Sequence, residues 1–202
     1  MGKYEIVKYS RNQIKNAGKI YVAENTSENN KLQALQIINN WRSAHSFPLQ
    51  IFYVNLKRMM PDGIVAQRLK RLYSITKKLS RFPNMSLTTM QDIGGCRVIV
   101  NKFKDIKKVV KKLKTSSVRH KLKEEYDYIN NPKSDGYRSY HLVYSYYSNK
   151  RKLYNGLFIE IQVRTKLQHM WATAVETVDA FTHNPLKIGQ QGTPCNFLTI
   201  NY

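Results

Sequence analysis

Two carboxylates, Asp92 and Glu160, differ from most other acidic residues because each lies in or beside an apolar stretch typical of a buried strand. The two stretches read DIGGCRVIV and LFIEIQVRT. A carboxylate in such surroundings is costly unless it is paired or holds a metal. If the strands are neighbours in one sheet, the two groups can share Mg²⁺, which accepts one or two carboxylates and takes its other ligands from water and substrate phosphates. The alternative is a structural salt bridge, for example between Asp92 and Arg97.

Cationic side chains accompany this pair along the chain. They are Arg68 and Lys70, then Lys78 and Arg81, and finally Arg97 and Arg164 within the strands themselves. A phosphoryl-transfer transition state needs little more from a protein than positioning, a metal and fixed positive charge. The sequence has neither a Walker-type glycine-lysine loop nor a kinase catalytic signature. These residues therefore favour a nucleotidyltransferase-like site with two carboxylates.

The segment 127–141, DYINNPKSDGYRSYH, combines turn signals with a run of alternating aromatic and polar residues. Gly136 permits backbone angles closed to other residues, so a loop can bend tightly there and approach a ligand. The segment offers Lys133, Tyr137, Arg138 and His141. Such a set suits an anionic ligand that carries a planar base. The alternative is a basic hairpin with surface aromatic residues.

Hydrophobic periodicity predicts the elements that must position these residues. The apolar run that ends at Val100 is typical of a buried strand, and the amphipathic segment 103–114 predicts a helix with a lysine-rich outer face. Segment 64–81 fits a strand over 64–70, which places Arg68 and Lys70 on one face, and then a helix from Arg71. A single solvated cationic helix is the alternative.

Further elements complete the predicted architecture. We expect a helix over 31–46 that Pro48 prevents from continuing, and then the second half of a helical hairpin over 49–60. Strands are expected over 121–128, 139–147 and 153–164, the last two as an antiparallel hairpin. A final helix begins after Thr165 as N-cap. Its apolar stripe comprises Leu167, Met170, Trp171, Ala174, Val175, Val178 and Phe181.

The composition places the chain among globular proteins with a polyanionic partner. Its 202 residues carry 34 Lys and Arg against 13 Asp and Glu, a net charge of +21 that attracts nucleic acid first and an acidic protein or membrane surface next. Two cysteines make no disulfide framework, and no Cys/His cluster has zinc spacing. Without a secretory stretch or a span of roughly 20 apolar residues, the sequence predicts a cytoplasmic protein with no membrane contact.

Several motifs in a fixed order resemble the synthetase domain of the RelA/SpoT family, and most of all its toxic small alarmone synthetases. They are RLK with SITKKL, DIGGCR, DYINNPKSDGYRSYH, and EIQVRT with HMWA. The resemblance implies an α/β (α+β mixed) nucleotidyltransferase-like fold with a mixed sheet of about five strands flanked by helices. It also implies a single domain with an N-terminal helical region over 1–63, a synthetase core over 64–183 and an irregular tail over 184–202.

The same resemblance implies transfer of the pyrophosphoryl group of ATP to a ribose 3′-hydroxyl, with release of AMP. Asp92 and Glu160 would hold Mg²⁺, and Glu160 with Gln162 would activate the hydroxyl. The residues expected to bind ATP are Arg68, which would stack on adenine, and Lys70, Ser74, Lys78, Arg81 and Arg97. Those expected to bind the acceptor are Tyr137, which would stack on its base, and Lys133, Arg138, His141, Arg164 and His169.

The acceptor is the open question, since family members use GDP or GTP whereas the toxic subgroup modifies the 3′-CCA end of tRNA. The N-terminal part, ALQIINNWRSAHSFPLQIFYVNLK, resembles that subgroup, and the net charge suits a long phosphate backbone. The side chains expected to track that backbone are Lys107, Lys108, Lys111 and Lys112. We therefore favour a tRNA-modifying toxin with a separate antitoxin protein over an alarmone synthetase. A non-catalytic RNA-binding scaffold is a third reading, against which the intact carboxylate pair argues.

Overall fold

A computed structural model describes residues 4–116 and 120–182. Within them lie six α-helices and five strands. The elements are α1 (Arg11–Val22), α2 (Glu28–Ala44), α3 (Ser46–Met59), β1 (Ile64–Leu69), α4 (Leu72–Arg81), β2 (Gly94–Val100), α5 (Phe103–Thr115), β3 (Lys121–Asp127), β4 (Tyr140–Ser145), β5 (Phe158–Thr165) and α6 (Lys166–Thr182). Among these described residues, no helix is long and apolar enough to cross a membrane.

The five strands form one mixed sheet in the order β1-β2-β5-β4-β3. Strands β2 and β5 pair in parallel, with Gly95 opposite Glu160, and the other three pairings are antiparallel. The antiparallel β4–β5 hairpin confirms the predicted one. A mixed sheet of five strands flanked by helices confirms the predicted fold class.

Alternation along the strands separates an apolar face of the sheet from a polar one. In β5, Ile159, Ile161 and Val163 have no exposed surface and point into the core, so the residues between them face the other way. In β4, Tyr144 lies on the apolar face, where its hydroxyl donates to the carbonyl of Leu113 in α5. Helix α5 therefore covers the apolar face, and the polar face is left to form a site.

Several element boundaries differ from the predicted ones. Helix α2 begins at Glu28 rather than 31, because the Ser27 hydroxyl accepts a hydrogen bond from the amide of Asn30 and so caps it earlier. Helix α3 begins at Ser46 and contains Pro48 in its first turn. Proline is tolerated there because it lacks a backbone N–H group, and the N–H groups of the first turn have no partner within the helix. Strand β5 begins at Phe158 rather than 153, because a 3₁₀ turn over Lys152–Tyr154 comes first.

The predicted strand-then-helix reading of 64–81 is confirmed by β1 and α4. The final helix also begins as predicted, but its apolar stripe is only partly buried. Within the stripe Val175 is buried and Trp171 half-buried, whereas Met170 is 66% exposed and Phe181 is 80% exposed. The predicted tail over 184–202 lies outside the described residues.

Thr165 caps α6, and its loss should weaken the fold modestly. The Thr165 hydroxyl accepts a hydrogen bond from the amide of Gln168 at 3.2 Å, and the Gln168 side chain accepts one from the Thr165 amide at 2.9 Å. We expect Thr165→Ala to lower the free energy of unfolding by about 1 kcal/mol, as measured by urea denaturation. Thr173→Ala, on an exposed turn of the same helix, is the control and should change it by less than about 0.5 kcal/mol. Equal losses in both variants would argue against a capping role.

His45 makes the stability of the fold depend on pH. Its imidazole is buried in the core, where Nδ1 lies 2.7 Å from the carbonyl of Trp41 and Nε2 has no partner among the described residues. Burial is the main reason that the pKa of His45 is lowered to about 4; the hydrogen bond to Trp41 opposes this shift and the nearby charge of Arg11 adds to it. The unfolded chain therefore binds a proton below about pH 6.5 that the folded chain binds only near pH 4, so stability falls as the pH falls through that window.

We expect the titration of His45 to lower the free energy of unfolding by about 2 kcal/mol when the pH falls from 7 to 5. Urea denaturation at the two pH values measures this, with His45→Gln as the comparison, because glutamine removes the titrating group. The difference between wild type and variant isolates His45 from other titrating groups. Equal pH dependence in the two proteins would contradict the prediction.

Candidate functional site

A cleft of about 500 Å³ lies on the polar face of the sheet. Its lining comes from all five strands, from α4 and α6, and from the segments before β2 and between β3 and β4. Asp92, from the segment just before β2, and Glu160, from β5, are among its lining residues. The register explains their proximity, because Gly95 pairs with Glu160 and Asp92 lies three residues before Gly95.

The Asp92 carboxylate is held by two lysines rather than by Arg97. Lys70 Nζ lies 2.9 Å from its Oδ2 and Lys78 Nζ lies 3.0 Å from its Oδ1. Burial alone would raise the pKa of Asp92, but the charges and hydrogen bonds of the two ammonium groups lower it below its ordinary value. Asp92 is therefore an ionised carboxylate.

The Glu160 carboxylate is held by His141 and Gln162. Its Oε1 lies 2.8 Å from His141 Nδ1, and its Oε2 accepts a hydrogen bond from Gln162 Nε2 at 2.7 Å. Burial would raise the pKa of Glu160, but the hydrogen bond and charge of His141 outweigh it and lower the pKa. The charge of Asp92 acts in the opposite direction on this pKa, which places the two carboxylates within electrostatic reach of each other.

A chain of hydrogen bonds runs from Glu160 through His141 and Tyr137 to Arg164. Because an ionised carboxylate only accepts hydrogen bonds, His141 Nδ1 carries the hydrogen that faces Glu160. His141 Nε2 lies 2.9 Å from the Tyr137 hydroxyl, which in turn accepts from the Arg164 guanidinium. Burial raises the pKa of Tyr137, although the Arg164 charge lowers it in part. The chain orients the four side chains relative to one another.

Gln162 separates the arginines of the cleft from Glu160. Its Oε1 accepts hydrogen bonds from Arg164 at 2.9 Å and from Arg97 at 3.3 and 3.4 Å, whereas its Nε2 faces Glu160. Burial lowers the pKa of Arg97, as does the nearby charge of Arg164. The two guanidinium groups therefore lie beside a neutral amide and remain available to an anionic ligand.

The model for the region found in RelA and SpoT proteins matches residues 67–180, which include all of these polar side chains. The chain belongs to the RelA/SpoT family. Among characterised relatives, GTP pyrophosphokinase YjbM of Bacillus subtilis is 36% identical over 115 residues, covering 56% of this chain and 54% of the relative. The chain spans about half the length of the curated relatives it matches.

Solved structures of the family have the same architecture. The small alarmone synthetase 1 of Bacillus subtilis aligns with a TM-score of 0.60 at 30% identity, over 69% of this chain and 77% of that one. The small alarmone synthetase 2 of the same organism aligns with a TM-score of 0.65 at 25% identity, over 78% of this chain and 84% of that one. These likenesses show that the chain has the fold of the small alarmone synthetases.

Most side chains expected from the family motifs meet in the cleft. Those lining it are Arg68, Lys70, Lys78, Asp92, Arg97, Lys133, Tyr137, His141, Glu160, Gln162 and Arg164. Four others are not among its lining residues: Ser74, Arg81, Arg138 and His169.

Ser74 is half-buried in α4, and the other three side chains also lie outside the lining of the cleft. Arg81 is exposed beside the ring of Phe82, and Arg138 donates to the carbonyl of Ile129. His169 lies next to the arginines of the cleft, and its buried Nδ1 has no partner among the described residues. Their ligand-binding roles stay predictions.

The lysine face expected to track RNA lies away from the cleft. Lys107, Lys108, Lys111 and Lys112 belong to α5, which covers the apolar side of the sheet. A nucleic acid bound along this face must pass around an edge of the sheet before its end can enter the cleft. The role of these lysines stays a prediction.

The cleft also contains residues that the sequence did not single out. Tyr126 and Tyr128 stack in parallel with 5.7 Å between ring centroids, and Lys133 Nζ lies 4.5 Å from the Tyr128 ring. The other additions are Ala66, Gln67, Gln91, Gly95, Cys96, Asp135 and Glu176. The sequence did contain a signal for this pair: Tyr126 and Tyr128 are two residues apart in the predicted strand 121–128, and that spacing places both rings on one face.

The two carboxylates fit Mg²⁺ by their chemistry. Both are ionised oxygen donors in one cleft, which is the ligand type that Mg²⁺ prefers, and one or two carboxylates are enough when phosphates and water complete the shell. Among the described residues no three His, Cys, Asp or Glu side chains come together, so a site with three protein ligands of those types is not formed there.

Proposed function

We propose that the protein is a pyrophosphokinase that transfers the pyrophosphoryl group of ATP to the ribose 3′-hydroxyl of GDP or GTP. The observation that carries the proposal is the convergence of Asp92 and Glu160 in one cleft rich in fixed cations. Relatives named GTP pyrophosphokinase, and a small alarmone synthetase 1 bound to its product pppGpp at 28% identity, support this acceptor. The proposed acceptor is thus a guanine nucleotide, and not the tRNA 3′-CCA end that the sequence analysis favoured.

In the proposed reaction the acceptor 3′-oxygen bonds to the β-phosphorus of ATP, and the bond from that phosphorus to the α–β bridging oxygen breaks. AMP leaves, and the hydroxyl proton passes to Glu160 as general base. Glu160 suits this role because it is ionised and because His141 and Gln162 fix its orientation while other lone pairs stay free. Mg²⁺ held by Asp92 and Glu160 would neutralise charge on the transferred group.

The two ends of the cleft suit the two nucleotides. Arg68 would stack on adenine, and the residues proposed to hold the triphosphate are Lys70, Lys78 and Arg97. At the other end, Lys133 lies 5.4 Å from the ring of Tyr137 and Arg164 lies 4.8 Å from it. Tyr137 would therefore stack on the acceptor base after these cations move onto the acceptor phosphates.

The net charge of +21 favours a second candidate, a tRNA 3′-CCA end as acceptor. That reading brings with it the proposed separate antitoxin. Its support is weaker, because the lysine face of α5 and the cleft lie on different sides of the sheet.

A transfer assay separates the two acceptors. We expect ATP labelled in its β-phosphate to transfer label to GDP or GTP and not to intact tRNA. The matched controls are 3′-deoxy-GTP and periodate-oxidised tRNA, which lack a usable 3′-hydroxyl. Label found only in tRNA would replace the guanine nucleotide with the second candidate. Transfer to none of these acceptors would remove the proposed reaction.

A further inference from the structure

Both oxygens of Asp92 already bind an ammonium group, one from Lys70 and one from Lys78. The three side chains are only 23%, 13% and 29% exposed, in the order Asp92, Lys70 and Lys78. Little water therefore screens the charges, and the interactions are stronger than at an open surface. One negative charge here faces two positive ones.

The backbone fixes the origin of both lysines. The amide of Lys70 donates to the carbonyl of Ile93 at 2.8 Å, and the Lys70 carbonyl accepts from Arg42 Nε at 2.7 Å, so the end of β1 is tied beside Asp92. Lys78 comes from the last turn of α4. The ammonium groups can leave Asp92 by rotation of their flexible side chains, and a second anion nearby favours that rotation.

Glu160 offers a bare cation only oxygens that already accept one hydrogen bond each. His141 and Gln162 each donate to one of its oxygens, so all four oxygens of Asp92 and Glu160 already accept a hydrogen bond from a side chain. A free divalent cation that approaches Asp92 meets two ammonium charges at hydrogen-bond distance from its ligand. A nucleotide triphosphate brings the negative charge that both lysines can bind instead.

We propose that Lys70 and Lys78 exclude free divalent cations from Asp92, and that the cleft takes up its metal only together with a nucleotide triphosphate, whose phosphates draw the two ammonium groups away. This inference rests on the proposed ATP-dependent function and adds to it the form in which the metal enters. It makes the lysines act twice, first as counter-ions of Asp92 and then as phosphate ligands.

Mn²⁺ titrations of the full chain test the inference, with the water proton relaxation rate as the readout because it rises when Mn²⁺ is bound to a macromolecule. The titrations are run with and without a methylene-bridged ATP analogue. Lys78→Met removes one ammonium group from Asp92. Lys77→Met removes the same charge from the exposed neighbouring residue, which packs near Tyr73 instead, and is the matched control.

We expect wild type and Lys77→Met to bind Mn²⁺ weakly without nucleotide and at least tenfold more tightly with the analogue. Lys78→Met should bind Mn²⁺ at least tenfold more tightly than wild type in the absence of nucleotide, and Lys78→Met with Asp92→Asn should lose that gain. Nucleotide-free binding by wild type as tight as by Lys78→Met would overturn the inference and leave the proposed function standing. Equal gains in Lys77→Met and Lys78→Met would overturn it too, and no binding by wild type even with the analogue would overturn the metal-dependent reaction itself.

Discussion

Glu160→Gln should lower the kcat of pyrophosphate transfer by about 10³-fold or more, because the variant loses the general base and one carboxylate at the same time. The substitution keeps the size of the side chain, but an amide has one acceptor oxygen where the carboxylate has two. One of the two donors, His141 Nδ1 or Gln162 Nε2, is then left facing an NH₂ group, at a cost of about 1–2 kcal/mol in stability. AMP release under saturating nucleotides measures the rate.

Glu124→Gln is the matched control, since it makes the same chemical change at an exposed position of β3 outside the cleft. We expect its kcat to stay within about twofold of wild type, as for most surface substitutions. Urea denaturation of both variants separates catalysis from folding. A Glu160→Gln protein that is folded and retains more than a tenth of the wild-type kcat would remove Glu160 as the base.

Strand β1 shows how far the sequence could determine local structure. The spacing of Arg68 and Lys70 by two residues distinguished a strand from a helix, because two cationic side chains share a face only in the extended chain. Both now line the cleft. Local rules were less successful at Pro48, which reads as a stop signal although a proline in the first turn continues a helix without loss.

The sequence could identify the carboxylates of the site but not their partners. A charged residue in or beside an apolar strand can be recognised in the sequence, so Asp92 and Glu160 could be identified as candidates for the site. The salt bridge considered from the sequence joined Asp92 to Arg97, whereas the structure pairs Asp92 with Lys70 and Lys78. The pairing of Asp92 with Lys70 depends on the antiparallel contact of β1 with β2, and its pairing with Lys78 depends on how α4 packs, neither of which any local pattern encodes.

Exposure is the property that the sequence predicted least well. The apolar stripe of α6 has a regular helical spacing, yet Met170 and Phe181 remain largely exposed. Periodicity identifies a face, but only the arrangement of neighbouring elements decides whether something covers that face. For the same reason the sequence could place lysines on one face of α5 without showing that this helix lies across the sheet from the cleft.

Arg164→Met should lower kcat/KM for the acceptor by about 10²- to 10³-fold while leaving the free energy of unfolding unchanged or raising it. Arg164 is only 2% exposed, and its hydrogen bonds go to neutral acceptors on Tyr137, Gln162 and Ser139. None of the described carboxylates forms an ion pair with it. A buried cation without an anion costs stability, so methionine of similar length relieves that cost and removes the charge that an anionic ligand would use.

Two comparisons decide whether Arg164 serves the ligand or the fold. Arg58→Met, on an exposed turn of α3, removes the same charge from the surface and should alter neither quantity appreciably. Leu142→Ala, which empties part of the core on the apolar side of β4, should cost about 2–5 kcal/mol of unfolding free energy. If Arg164→Met loses as much stability as Leu142→Ala, the guanidinium holds β4 and β5 together and its charge is not reserved for a substrate. Retained stability with lost turnover would mean that the protein keeps Arg164 buried, without an ion pair to any described carboxylate, because the reaction needs its charge.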